Sequence, residues 1–201
     1  MERGEEPTVS PDDLRFTEIE HKFLVAGAFD LPRFRAAVEA LGPVRSFALR
    51  VRDRYFLTGH GEAHRYVIRH RYDEELHHLT IKAIEADPEV RSEINLDLGQ
   101  HAGDQAAAVE AFVDRLGATW RGDITKDIEV WEFPACEVVH YTASAGDRQV
   151  RCVEFEALHA ANVEEALAVL RHYERAAGFG DAERSLASLV DLLYPGVWGP
   201  A

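Results

Sequence analysis

Residues 16–25, Phe16-Thr17-Glu18-Ile19-Glu20-His21-Lys22-Phe23-Leu24-Val25, alternate without a break. Glu18, Glu20 and Lys22 fall on one face, and Ile19, Phe23 and Val25 fall on the other. A period of two residues is that of a strand, because successive side chains of an extended chain point to opposite sides. His21 has the parity of the apolar face, where a hydrogen-bonded packing role suits it better than chemistry.

The same grammar recurs outward from this strand. Strand-like runs are expected at 47–57, 64–73, 77–85, 89–98, 123–133, 136–143 and 148–157, joined mostly by short polar segments that suit hairpin turns. A helix is expected after Asp30, with Pro32 in its first turn, Phe34, Ala37, Val38 and Leu41 as its apolar stripe, and Gly42 as its stop. A second helix is expected over 104–116, ended by Gly117. Its AAAVEAFVDRLG echoes the earlier RAAVEALG, so strand, helix and then several strands occur twice, as in a duplicated half-barrel. Two amphipathic helices, 163–178 and 183–193, close the pattern, with Leu167, Leu170 and Tyr173, then Leu186, Leu189 and Leu193, as apolar positions. The expected fold class is α+β: an eight-stranded antiparallel β-barrel forming a tunnel, with the helices packed outside. Eight strands give a barrel wide enough for filling side chains or one small ligand. Residues 1–14 are expected as a flexible acidic tail, 15–195 as the barrel domain and 196–201 as a C-terminal tail.

Composition narrows the partners. With 201 residues the chain is long enough to bury a core. Its formal net charge of −14 repels nucleic acid and anionic lipid, so neither is expected as a partner. No run of eighteen apolar residues is present, and the N-terminal stretch lacks the apolar segment of a secretory signal, so a cytoplasmic location is expected. Cys136 and Cys152 are expected as free thiols. His60, His64, His77 and His78 lack a partnering Cys or carboxylate pattern and are not expected to bind zinc.

One face of most strands is charged. Beside Glu18, Glu20 and Lys22 stand Arg69 and Arg71, Lys82, Arg91 with Glu93 and Asn95, Lys126, and Glu154 with Glu156. A half-solvated sheet would account for any single strand. Charges of both signs in six strands in series point instead to a shared interior. Taking an ion out of water costs several kcal/mol even after relaxation, so such an interior must be a wet channel that binds something highly charged. Arg forks and Lys ammoniums suit phosphate oxygens, and i, i+2 carboxylates suit Mg²⁺ or Mn²⁺.

These residues, in this order, resemble the CYTH, or triphosphate tunnel metalloenzyme, family. Glu18-Ile19-Glu20-His21-Lys22 is similar to its ExExK signature, Arg69-His70-Arg71 to its RxR, Lys82 in Leu79-Thr80-Ile81-Lys82 to its TxK, and Arg91-Ser92-Glu93 to the start of its RxExE. Lys126 stands where the family has KxR, and Glu154-Phe155-Glu156 is similar to its late ExE. The chain departs from the pattern at Asn95, where the family has an acid, and at Ile128, where it has an arginine. The resemblance implies a divalent-metal-dependent hydrolase of a triphosphate-containing small molecule: inorganic triphosphate, thiamine triphosphate or a nucleoside triphosphate. Lys22, Arg69, Arg71, Lys82, Arg91 and Lys126 would bind substrate. Glu18, Glu20, Glu154 and Glu156 would hold magnesium or manganese, and Lys22 and Glu93 would take part in catalysis. An adenylyl cyclase making cyclic AMP from ATP, and a non-catalytic binder of polyphosphate or a phosphorylated metabolite, are the alternatives. A homodimer is compatible with the sequence, which does not decide the oligomeric state.

Overall fold

A computed structural model describes residues 16–72, 77–83, 90–99 and 105–198. The expected tail at 1–14 and residues 199–201 of the expected tail at 196–201 lie outside the described residues, as do the side chains of Glu18 and Arg91.

Eight strands occur in the order β1 (Phe16–Leu24), β2 (Arg45–Thr58), β3 (Tyr66–Tyr72), β4 (His77–Ala83), β5 (Val90–Asp97), β6 (Ala118–Glu132), β7 (Cys136–Ala145) and β8 (Arg148–Ala157). They close into a barrel with the neighbour order β1-β5-β4-β3-β2-β6-β7-β8, every pair antiparallel. Exchanging β1 for β5, β2 for β6, β3 for β7 and β4 for β8 maps this order onto itself. The faint repeat in the sequence therefore has a counterpart in the topology: two βαβββ halves, each with its helix after its first strand. The seam between the halves is unequal. Among the described residues, β2 and β6 pair over fourteen positions of β2, whereas β1 and β5 pair over four. The β7–β8 hairpin closes through Gly146 and Asp147, and Gly146 takes the positive φ (59°) that a two-residue turn requires.

Period-2 patterning decides what lies on each side of the wall. The outward residues of β1, β6, β7 and β8, including Ile19, Phe23, Trp131, Val138, Val153 and Phe155, pack under α1 (Leu31–Glu39) through Phe34 and Val38, and under a long C-terminal helix (Val163–Ala176) through Ala166 and Leu170. Asp30 caps α1 by accepting the Arg33 amide at 3.0 Å, and Asn162 caps the long helix by accepting the amide of Glu165 at 2.9 Å. On the opposite side, Phe56 and Ile68 pack against Val109 and Val113 of the Gln105–Arg115 helix. In chain order the helices are α1, α2 (Gly59–His64), α3 (Gln105–Arg115), α4 (Val163–Ala176) and α5 (Leu189–Leu193).

Two features depart from the expected pattern. The short helix α2 follows β2, capped by Thr58, where only a turn was expected. The last helix is confined to Leu189–Leu193 rather than 183–193, and it does not pack outside. Ser188 and Asp191 form a reciprocal capping box that starts α5 only there. Leu189, Val190 and Leu193 then pack against inward-facing Tyr55, Leu57, Val67, Ile124, Tyr141, Ala143 and Cys152. A barrel of this size leaves an apolar opening at one end, and α5 fills it. Leu186, expected on the apolar stripe, is 56% exposed.

Candidate functional site

The inward faces that α5 does not cover bring the charged residues together. Two continuous lobes of the interior, about 110 and 380 Å³, share Glu20, Lys82, Lys126 and Glu154 in their walls. Lys22 lines the smaller lobe beneath α5, and Arg69, Arg71 and Glu156 line the larger one. Eight of the eleven residues picked out in the sequence thus converge on one channel. Glu93 joins through its ion pairs, and the backbone sets Glu18 directly across from Arg91 at the β1–β5 seam.

Register explains the convergence. Glu20 stands opposite Glu156, and Lys22 opposite Glu154, across β1 and β8. Lys82 stands opposite Glu93 across β4 and β5, and Asp53 opposite Arg71 across β2 and β3. Several inward charges therefore meet another charge at strand-pair distance, while Arg69 and Lys126 reach theirs from positions opposite uncharged residues. Lys22 is 3% exposed; its Nζ lies 3.2 Å from Glu154 Oε1 and 3.8 Å from Glu20 Oε1, and it donates to the Ala187 carbonyl at 3.4 Å. Tyr141 donates its hydroxyl to the same Glu154 oxygen at 2.7 Å. Glu93 pairs with Lys82, and with Arg69 at 3.8 Å.

Asp53, which the sequence reading passed over, is the hub of the cationic wall. It is fully buried and accepts a fork from Arg71, at 2.7 Å from Nε and 2.9 Å from Nη2, while Lys126 Nζ lies 3.0 Å away. Burial alone would raise its pKa, but the combined charges of Lys126, Arg71 and Arg69 and the Arg71 hydrogen bonds hold it well below the usual carboxylate range. The available signal was parity: Val51, Asp53 and Tyr55 share the inward face of β2, and Asp53 is the acid among them.

At the far rim of the larger lobe, Glu132, Glu137, Glu156 and Glu20 stand directly opposite one another across β6, β7, β8 and β1. Directly opposed like charges destabilise a sheet, so this row is retained against a cost. Arg45 reaches Glu132 at 4.0 Å. Among the described residues, no three His, Cys, Asp or Glu side chains are gathered closely enough to hold a metal ion. Two of the acids that the resemblance implies as metal ligands, Glu20 and Glu154, instead share the Lys22 ammonium. The donor chemistry, carboxylate oxygen throughout, still fits a hard cation.

Two departures from the family pattern take on structural meaning. Asn95 accepts a hydrogen bond from the Thr80 hydroxyl at 2.6 Å, and Thr80 in turn accepts from Arg69 Nη2 at 3.2 Å, so the amide serves in a chain that orients Arg69. Arg69 Nε is buried with no hydrogen-bond partner among the described residues. Ile128 lies in an apolar band described below. His21, as its parity suggested, is on the outer side, where Nδ1 meets Glu174 and Arg184 Nη1 lies 2.7 Å from Nε2; these contacts tie β1 to α4 and the following loop. Cys136 and Cys152 are buried free thiols, and burial with nearby Glu154 pushes Cys152 up to about 11.

No family model matches the chain, and no curated protein sequence does. Solved structures match at low identity. The PH1012 protein from Pyrococcus horikoshii OT3 superposes with a TM-score of 0.68 at 20% identity, over 88% of this chain and 99% of its own. A candidate adenylate cyclase from Bacillus halodurans gives 0.61 at 15% identity, over 90% and 98%. HpAC1 from Hippeastrum, named for adenylyl cyclase and described as having a dominant triphosphatase activity, gives 0.51 at 14% identity, over 86% and 92%. The closed eight-stranded barrel, its charged interior and these neighbours establish that the chain has the CYTH, or triphosphate tunnel, fold.

Proposed function

We propose that the channel binds a triphosphate-containing small molecule and hydrolyses it with the help of a divalent cation. The observation that carries this reading is the convergence of five cations, Lys22, Arg69, Arg71, Lys82 and Lys126, with Glu20, Glu154 and Glu156 on one interior space. In a chain of net charge −14, five inward cations, of which Lys22, Arg69 and Lys126 are buried, make sense where a polyanion must be drawn in against the general field.

Arg69 and Arg71 offer forked donors to phosphate oxygens, and Arg69 Nε is the donor left without a partner for them. Lys82 and Lys126 add point charges from opposite sides of the channel. Asp53 and Glu93 position these cations, which keeps a tunnel of like charges from forcing itself apart when empty. Glu20, Glu154 and Glu156, with Glu18 next along β1, would hold Mg²⁺ or Mn²⁺, and Lys22 already occupies the point where two of these carboxylates meet. When bound, such an ion supplies charge neutralisation at the terminal phosphoryl group and lowers the pKa of a water molecule. In the reaction, water attacks the terminal phosphorus, the bridging P–O bond breaks, and orthophosphate leaves with a shortened phosphate chain. Lys22 and the Arg69–Arg71 pair offset the charge that gathers on the departing oxygen.

Phosphate release from inorganic triphosphate, thiamine triphosphate and ATP, each with Mg²⁺ or Mn²⁺, tests this reading. Metal-dependent release from at least one of them is expected. Cyclic AMP from ATP, with no phosphate released, would replace hydrolysis by cyclisation. Tight metal-dependent binding without turnover of any of them would leave a binding module.

A further inference from the structure

The larger lobe is charged at its inner end and again at its rim, where Arg45, Glu132, Glu137 and Glu156 stand, and an apolar band lies between the two. Reading β2 inward from the rim gives Arg45, Phe47, Leu49, Val51 and then Asp53; reading β6 gives Glu132, Val130, Ile128 and then Lys126. Register sets Phe47 opposite Val130, Leu49 opposite Ile128, and Val130 opposite Val139 of β7. The result is a continuous wall of six apolar side chains, from Phe47 to Val51 about 13 Å along β2 at the usual rise per residue. Phe47, Leu49, Ile128 and Val139 are only partly buried and line the lobe, although Ile128 and Val139 also pack against the core around Tyr141 and the Arg45 guanidinium lies over the Phe47 ring.

Triphosphate alone gives such a wall nothing to hold. A stretch of hydrocarbon bordering the phosphate-binding end is explained by a ligand with an apolar portion next to its phosphates. The lobe of about 380 Å³ is in the range of small-molecule pockets. A nucleobase is a poor fit to this band: it needs donors and acceptors at its edges, and between Arg45 and Glu132 at the rim and Asp53 and Lys126 within, the described residues of β2 and β6 offer only apolar side chains to the lobe. The hydroxyl of Tyr141 is already given to Glu154. Where the family pattern has an arginine, Ile128 extends the apolar wall by one residue toward Lys126.

We infer that the physiological ligand is an alkyl phosphate ester, a hydrocarbon chain carrying two or three linked phosphates, with the chain lying along Phe47, Leu49, Ile128, Val130 and Val139. This inference rests on the phosphate-binding reading above and specifies the rest of the ligand. The headgroup sits among Arg69, Arg71, Lys82 and Lys126, and the tail runs toward the rim.

Calorimetric titration of the full chain with inorganic triphosphate and with ethyl, butyl and octyl triphosphate separates the two levels of the claim. Affinity is expected to rise with chain length, by up to roughly fourfold for each methylene buried, and octyl triphosphate is expected to bind at least about tenfold more tightly than the inorganic ion. ATP is expected to bind more weakly than the octyl ester. Leu49→Gln, and separately Val139→Thr, should flatten the dependence on chain length, read as the ratio of octyl to inorganic affinity within each variant. Inorganic triphosphate binding with no gain from alkyl chains, or a preference for ATP over the octyl ester, overturns the inference while leaving the phosphate site standing. Failure of every triphosphate to bind overturns both.

Discussion

The two βαβββ halves share a topology and differ in chemistry. In the first half, β3 presents Arg69 and Arg71 to the interior and β4 presents Lys82. Their topological counterparts, β7 and β8, present Glu137, Val139 and Tyr141, and then Glu154 and Glu156. The strands fold alike because their outward faces carry the same kind of apolar pattern, packed under helices. What the inward faces carry is free to diverge, since water or ligand, not a packed core, fills the space between them. β3 and β4 thus supply a wall for anions and β7 and β8 a wall for cations, which Glu20 of β1 extends from the first half. Lys126 on the second half and Asp53 on the first cross this division, each placed so that the two walls are tied together at 3.0 Å.

The acidic wall can be broken first. Replacing Glu18 and Glu20 together with Gln is expected to lower metal-dependent phosphate release by at least about a hundredfold, with circular dichroism and cooperative unfolding retained. Unfolding of that variant would make the pair structural.

The link between the walls comes next. Asp53→Asn leaves Arg71 and Lys126 without their shared counter-ion in a buried setting. Losing one partner of a buried pair costs about 3–5 kcal/mol, so a clear drop in the urea midpoint is expected. Added inorganic triphosphate should restore part of that loss, because the ligand brings negative charge to the same two cations. Stability unchanged by the substitution would remove Asp53 from its central place.

The cationic wall is tested by Arg69→Gln. Charge-assisted hydrogen bonds are worth about 1.5–3 kcal/mol each, so triphosphate affinity should fall roughly tenfold to a hundredfold, with a much smaller change in stability. An unchanged Michaelis constant would count against the assignment.

Outside the channel, the smallest effect concerns pH. His70 Nε2 lies 2.9 Å from His77 Nε2, and burial first, then the charges of His77 and Arg54, push His70 down to about 4. Unfolded, the imidazole titrates near 6.5, so the unfolded state binds the extra proton between these values. Stability should therefore fall as pH drops from about 6.5 to about 4, by an amount on the order of 2 kcal/mol. His70→Leu should flatten that part of the pH profile, and an unaltered slope would place the titration elsewhere.

Much of this was legible in the sequence because the barrel wall has a simple rule. Period-2 alternation located all eight strands, and charges of both signs on one face of six strands in series pointed Glu20, Lys22, Arg69, Arg71, Lys82, Lys126, Glu154 and Glu156 to a shared interior. Parity also sent His21 outward. Asp53 was missed because one acid in Arg52-Asp53-Arg54 resembles an ordinary surface charge until the fold sets Arg71 and Lys126 beside it. Segment 183–193 was misjudged because its leucines are spaced as on one helical face, whereas the Ser188–Asp191 capping box starts the helix only at Leu189. Leu189 and Leu193 are buried as a helical stripe would predict, but inside the barrel end, a location that no local pattern encodes. The apolar band from Phe47 to Val51 was hidden for a similar reason. Alternating hydrophobic residues read the same way whether they face a core or a ligand.

Isothermal titration of the full chain with inorganic triphosphate, with and without Mg²⁺, tests the central claim most directly. One site per chain is expected, with affinity that falls steeply as salt is raised and is lost in large part in Arg69→Gln. Absence of heat at millimolar triphosphate, or binding that Arg69→Gln leaves untouched, would contradict the assignment of these inward charges to a phosphate site.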